Sequence, residues 1–175
     1  KFSKHLLSNS ENFVHWCTLL MQILQAPVPS EDLKAKDADD SFTLDKSLFW
    51  KMKKWTFRAQ NRIASRYGSG EEAKSLGKEE TAFSKVYSEN FAEAVMNVNL
   101  AVIQASMNGE APLTDKTCNL LTEYLTVCVK SKKTWKALRP HIQLIISHFL
   151  FPKICFTPSD EELWADDPQE FLKTV

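Results

Sequence analysis

The sequence predicts an all-α fold, and three observations carry that expectation. Apolar residues recur at three- and four-residue steps in five separate stretches, the spacing of one helix face. The 175 residues contain four glycines, and the Asn108-Gly109 pair lies between two helical patterns rather than two alternating runs. Long polar connections alternate with tight turns, the spacing of antiparallel helix pairs stacked side by side. The same periodicity also fits an irregular helical bundle.

Taken in order, Ser10 is positioned to cap a first helix, about Glu11 to Gln25, with Phe13, Trp16, Cys17, Leu20, Ile23 and Leu24 on its apolar face. Pro27 and Pro29 stop it. Ser30 to Lys46 is a polar, acidic connection containing Glu31, Asp32, Asp37, Asp39, Asp40 and Asp45. Its length suits either a functional loop or a solvated linker.

The second helix, Leu48 to Tyr67, carries two stripes. Met52, Trp55, Ala59 and Ile63 form the expected core face, widened by Leu48, Thr56 and Tyr67. Lys51, Lys54, Arg58, Arg62 and Arg66 run along the flank, and Gly68 follows as the C-terminal cap. A basic stripe is most often a solvated face, so its functional reading rests on other grounds.

After a polar loop from Gly68 to Glu80, a third helix is expected from about Thr81 to Met107, buried through Phe83, Val86, Tyr87, Phe91, Val95, Val98, Val102 and Ile103. Gly109 and Pro112 close it. Thr114 caps a fourth helix ending near Ser131, with Cys118, Leu121, Leu125 and Cys128 on one side. A turn, SKKTW, leads to a fifth helix through Leu138, Ile142, Ile145, Ile146, Phe149 and Leu150, and Pro152 breaks or kinks it. The tail, TPSDEELWADDPQEFLKTV, reads as an acidic turn-like segment anchored by Trp164 and Phe171, with Ser159 as a cap.

Twenty-two basic and twenty-two acidic residues cancel, which argues against bulk attraction to nucleic acid or an anionic membrane. The four cysteines, Cys17, Cys118, Cys128 and Cys155, form no Cys-x-x-Cys pair and read as reduced core thiols of an intracellular protein. The start, KFSKHLL, lacks a methionine and an apolar leader and reads as the middle of a longer chain. The most apolar run, Leu144 to Phe151, is too short to span a bilayer.

No catalytic constellation stands out: the sequence has no G-x-S-x-G, P-loop or G-x-G-x-x-G. His141, His148 and Cys155 recur at seven-residue steps, roughly 10 Å apart along a helix, which is too far for one metal ion. The chain is expected to be no enzyme, with no metal site and no cofactor.

Three stretches, NFVHWCTLLMQILQAPVP, FWKMKKWTFRAQNRIASRYG and TWKALRPHIQLIISHFLFPKICFTPSDEELWADDPQEFLKTV, resemble the importin-7/importin-8 group of the importin-β (karyopherin-β) nuclear transport receptors. The resemblance runs in order from about Asn12 to Val175. It is most specific at Trp50, Lys53-Lys54-Trp55 and Arg66-Tyr67-Gly68, and at Leu138-Arg139-Pro140-His141 and Phe151-Pro152. Ser69 to Lys85 departs from it.

The resemblance implies an α-solenoid of HEAT repeats with right-handed superhelical stacking, of which this chain is an internal fragment. Residues 10–68 would form one repeat with an acidic loop at 30–46. Residues 81–131 would form the next, and 134–175 would begin a third with an acidic loop at 157–170. It also implies that second helices line a concave face where cargo and Ran-GTP bind. Lys51, Lys54, Arg58 and Arg62, and in the acidic loop Asp160, Glu161, Glu162, Asp166 and Asp167, are the contact candidates. Implied partners are Ran-GTP, protein cargo including basic nuclear or ribosomal proteins, and nucleoporins for the full-length parent, with no direct nucleic-acid or membrane contact. Implied localisation is shuttling between cytoplasm and nucleus. The competing reading is a HEAT-repeat scaffold with no Ran dependence.

Overall fold

The computed structural model describes residues 10–34, 44, 46–68 and 78–174. Among these residues every regular element is a helix and none is a strand, so the fold is all-α. It divides into two compact units, Lys1–Ile142 and Gln143–Val175.

In the first unit, helix α1 (Ser10–Gln25) and the short α2 (Ser30–Lys34) precede α3 (Leu48–Tyr67). Then come α4 (Lys78–Asn90), α5 (Ala92–Met107), α6 (Asp115–Lys130) and α7 (Lys132–Leu138). Ser10 lies inside the first turn of α1 rather than before it. Glu31 and Asp32, expected in a loop, are helical in α2, and Ser47 Oγ donates to Asp32 Oδ2 at 2.9 Å. Asp37, Asp39, Asp40 and Asp45 lie outside the described residues.

The end of α1 meets the start of α3, so the two run antiparallel. Lys53 Nζ donates to the carbonyls of Leu24 at 3.0 Å and Ala26 at 2.9 Å, where the helical ladder has run out of donors. Other C-terminal carbonyls are treated in the same way. Ser84 Oγ donates to Tyr67 O at 2.7 Å, and Lys133 Nζ reaches Ser88 O and Glu89 O, each at 3.0 Å. The Lys133 contacts fall just before Phe91, whose φ of −119° divides the single helix expected from Thr81 to Met107 into α4 and α5. Gly109, at φ 74°, closes α5 in a conformation that disfavours a side chain.

The two pairs stack first helix on first and second on second. Phe13 of α1 packs on Phe83, Tyr87 and Phe91, with ring centroids 4.0, 6.2 and 5.5 Å away. Helices α3 and α6 make the most extensive interhelical contact and run parallel. Asn61 meets Leu120, and further along Ala64 and Gly68 line a small void together with Tyr124, Cys128 and Ser131. Gly68 is the C-terminal cap, as expected, in a right-handed conformation (φ −82°, ψ −27°); a Cβ there would press on the Ala64 carbonyl oxygen. Thr114 caps α6 as expected, accepting from Thr117 N at 3.3 Å. The turn SKKTW is in fact the first turns of α7, with Ser131 the break.

Cys17, Cys118 and Cys128 are buried, and burial pushes the Cys17 thiol up to about 12 and Cys128 to about 11, which keeps them protonated. Cys155 is exposed, contrary to its expected place in a core.

The fifth helix is not uniform. After a 3₁₀ turn (Arg139–His141) come α8 (Ile142–Ile145), a π turn (Ile146–Leu150) and α9 (Phe151–Ile154). Pro152 cannot donate to His148, and its ring crowds that carbonyl, so the helix widens. Phe151 N–H accordingly bonds to Ile146 O, five residues back. In the second unit, the expected acidic loop 157–170 is two helices, α10 (Pro158–Asp166) and α11 (Pro168–Thr174). Among the described residues no helix is long and apolar enough to cross a membrane.

Candidate interaction surface

Helix α3 buries Trp50, Lys53, Thr56, Phe57, Gln60 and Ala64. Positions 50, 53, 57, 60 and 64 repeat at three- and four-residue steps, so they form one stripe. The expected core face was a different one. Leu48 is exposed, Met52 is 41% exposed and Trp55 is 64% exposed. At about 100° per residue, Trp55 falls on the side of the helix opposite Trp50 and Phe57. The helix is rotated by about 135° from the sequence expectation, with Thr56 common to both faces.

That rotation puts Trp55 among the charges. Lys51, Arg58 and Arg62 are exposed and Lys54 is half-buried. The Arg58 guanidinium lies over the Trp55 ring, 5.1 Å from its centroid, a cation–π arrangement that holds both flat on the surface. Arg58 and Arg62 form one wall of a depression of about 350 Å3, with Asn61 and Ser65 beside them and Leu120, Glu123, Thr126 and Val127 of α6 opposite. Asn61 fixes the floor, donating to Leu120 O at 2.7 Å and Glu123 Oε2 at 3.3 Å.

The electrostatics of α3 are one-sided. Its twenty residues contain six basic side chains and no acidic one. Lys54, Arg58, Arg62 and Arg66 follow one another at four-residue steps. Three such like-charged neighbours cost about 1 kcal/mol together, at roughly 0.2–0.5 each. Among the described residues, Lys51, Lys54, Arg58 and Arg62 make no ion pair that would offset it.

Lys53, inside the buried stripe, is different. It is 4% exposed, its Nζ sits 4.7 Å from the Phe49 ring centroid and 5.8 Å from that of Trp50, and it makes the two carbonyl bonds already described. Burial lowers its pKa to about 8. Sequence reasoning grouped Lys53 with its neighbours in the resemblance and assigned it no role. The three–four repeat from 50 to 64 was visible, but a lysine and a glutamine inside it masked its apolar character.

The acidic candidates form a separate surface on the second unit. Thr157 and Asp160 make a reciprocal capping box at the start of α10. Thr157 Oγ1 and N donate to Asp160 Oδ2 at 2.6 and 2.8 Å, and Asp160 N donates to Thr157 Oγ1 at 3.2 Å. The cap is therefore Thr157, not Ser159. The hydrogen bonds from the Thr157 side chain and backbone hold the Asp160 carboxyl below its ordinary value. Asp160 is thus committed to the cap, whereas Glu161, Glu162, Asp166 and Asp167 are exposed. Asp167 Oδ1 accepts from Gln169 N and Glu170 N, both at 3.0 Å, and so starts α11. Phe171 joins the two helices, with Phe156 at 5.7 Å and Trp164 at 5.5 Å between ring centroids. Among the described residues no group of three His, Cys, Asp or Glu side chains could hold a metal ion.

No family profile matches the chain, and no solved structure matches it. Curated proteins do. The importin beta-like SAD2 homolog of Arabidopsis thaliana is 30% identical over 162 residues, 92% of this chain and 15% of that protein. Human importin-8 is 30% identical over 167 residues, 95% of this chain and 15% of importin-8. The yeast protein named nonsense-mediated mRNA decay protein 5 is 30% identical over 166 residues, again 95% and 15%. The chain thus spans about 15% of the length of these relatives. A similarity of this level, continuous across two helix pairs and the acidic helices that follow, agrees with the all-α fold: the chain belongs to the importin-β family, in the importin-7/importin-8 group.

Proposed function

We propose that this chain is a segment of a nuclear transport receptor that binds protein cargo and Ran-GTP and shuttles between cytoplasm and nucleus. The observation that carries the reading is the similarity to importin-named proteins over 92–97% of the chain. Two structural features support it. The parallel stacking of α3 on α6 gives the second helices a common outward surface, and that surface holds Lys51, Lys54, Arg58 and Arg62. A separate acidic surface holds Asp160, Glu161, Glu162, Asp166 and Asp167, suited to a basic partner such as a region of Ran or a basic cargo. Nucleoporins are partners of the full-length parent in this reading.

The test uses the full-length protein that carries this segment. It is loaded with a fluorescent nuclear protein cargo and titrated with Ran-GTP, and separately with Ran-GDP. Release by the GTP form alone is expected. Cargo retention under both nucleotides overturns the receptor reading and leaves a helical scaffold with no Ran dependence.

A further inference from the structure

We propose that the outward face of α3 docks an extended acidic protein segment, its carboxylates on Arg58 and Arg62 and one of its apolar side chains on Trp55. The inference rests on the cargo-receptor reading above and names the class of segment that this face takes.

Charge complementarity is the first argument. Six cations and no anion on one helix, in a chain of zero net charge, is segregation rather than excess. Lys51, Lys54, Arg58 and Arg62 make no ion pair among the described residues, so their charge is available to an incoming anion. The second argument is Trp55. A tryptophan 64% exposed within a cationic stripe, its ring already oriented by Arg58, gives an apolar platform beside the charges.

The third argument is spacing. Arg58 and Arg62 are one four-residue step apart, about 6 Å along the helix axis. Alternate residues of an extended peptide are about 6.7 Å apart and point the same way. Two acidic residues separated by one residue therefore reach Arg58 and Arg62 together, and guanidinium forks suit carboxylates. Glu123 on the facing wall of the depression repels any anion, and a phosphate backbone, charged at every residue, more than a peptide whose carboxylates alternate with neutral residues and whose N–H groups it can accept from. That favours an acidic peptide over a nucleic acid.

The test takes the full 175-residue chain. The probe is a fluorescein-labelled peptide of about twelve residues, alternating Asp and Ser with one central Phe, followed by fluorescence anisotropy. Binding is expected to weaken at least about tenfold in Arg58→Gln/Arg62→Gln, several-fold in Trp55→Ala, and about tenfold when salt rises from about 50 to about 200 mM. These side chains are exposed or outside the core, and unchanged helical circular dichroism verifies that the variants fold. A Lys-Ser peptide is expected not to bind, and a single-stranded RNA of equal length to bind at least about tenfold more weakly. The proposal is overturned if the acidic peptide does not bind, if both variants bind it as the parent does, or if the RNA binds more tightly. Ran is absent from this assay, so a failed peptide test leaves Ran-dependent release standing, and the converse also holds.

Discussion

Lys53 brings a full charge into the interior of the first helix pair, and the surrounding geometry explains how it is tolerated. Two carbonyls at the end of α1 and two aromatic faces surround the ammonium, yet burial still brings its pKa from 10.5 to about 8. Between those values the unfolded chain binds more protons than the folded one, so stability rises with pH across that window. The cost of holding the charge is fully present below about pH 8 and is relieved toward pH 10.5. The difference corresponds to about 3 kcal/mol at most. Urea midpoints of the parent, compared with Lys53→Met, should diverge in the parent's favour as pH rises from 8 to 10.5; parallel curves would show that Lys53 does not carry this linkage. Trp55 teaches the complementary lesson. Phe57→Ala should cost about 3–5 kcal/mol, because Phe57 is fully buried, whereas Trp55→Ala should cost under about 0.5. Denaturant melts of the two variants check this. Spacing alone pointed to the Met52–Ile63 stripe of α3, while the stripe that is buried, from Trp50 to Ala64, contains Lys53 and Gln60. Choosing between them required knowing that the α1 carbonyls satisfy Lys53, a contact 27 to 29 residues away that periodicity does not contain.

At the scale of single helices, ends and interruptions decided more than faces did. The existence of α1, α3 and α6 was legible from spacing, as were the buried Phe13, Cys17 and Leu24 of α1 and Cys118, Leu121, Leu125 and Cys128 of α6, whereas of the six buried residues of α3 only Thr56 was, and the Thr114 cap was legible from its position. The split of α4 from α5 at Phe91 was not, because its exposed carbonyls are taken by Lys133 from a later helix. The acidic tail was misread as a loop because its charge and prolines suggested turns. Pro158 and Pro168 instead occupy the first turns of α10 and α11, where a missing N–H costs nothing. The capping box makes a test. Thr157→Ala should weaken α10 by about 1 kcal/mol, seen as faster amide exchange at Glu161 and Glu162. The Asp160 carboxyl is held below its ordinary value near 3.8, so its contribution is present above that pH and is lost as pH falls through the lower folded value. In Thr157→Ala that acid dependence should shrink; an unchanged acid profile would place the stabilisation elsewhere.

Across the whole molecule the charge sums to zero while α3 keeps six cations and no anion. Such an arrangement steers partners locally, within about 10 Å at moderate salt, rather than attracting any polyanion from a distance. It also opposes the stability of the helix that holds it. Lys51 sits in the fourth position of α3, near the positive end of the helix dipole, and the first turn contains no acidic residue. Lys51→Glu should therefore stabilise the first unit by about 0.5–1 kcal/mol, through the dipole and a new pairing with Lys54 three residues on. The same change should weaken an acidic partner on this face. A higher melting temperature together with weaker peptide binding is the expected result. If Lys51→Glu lowers the melting temperature, the cation has an internal partner and the charge of α3 serves the fold rather than a ligand.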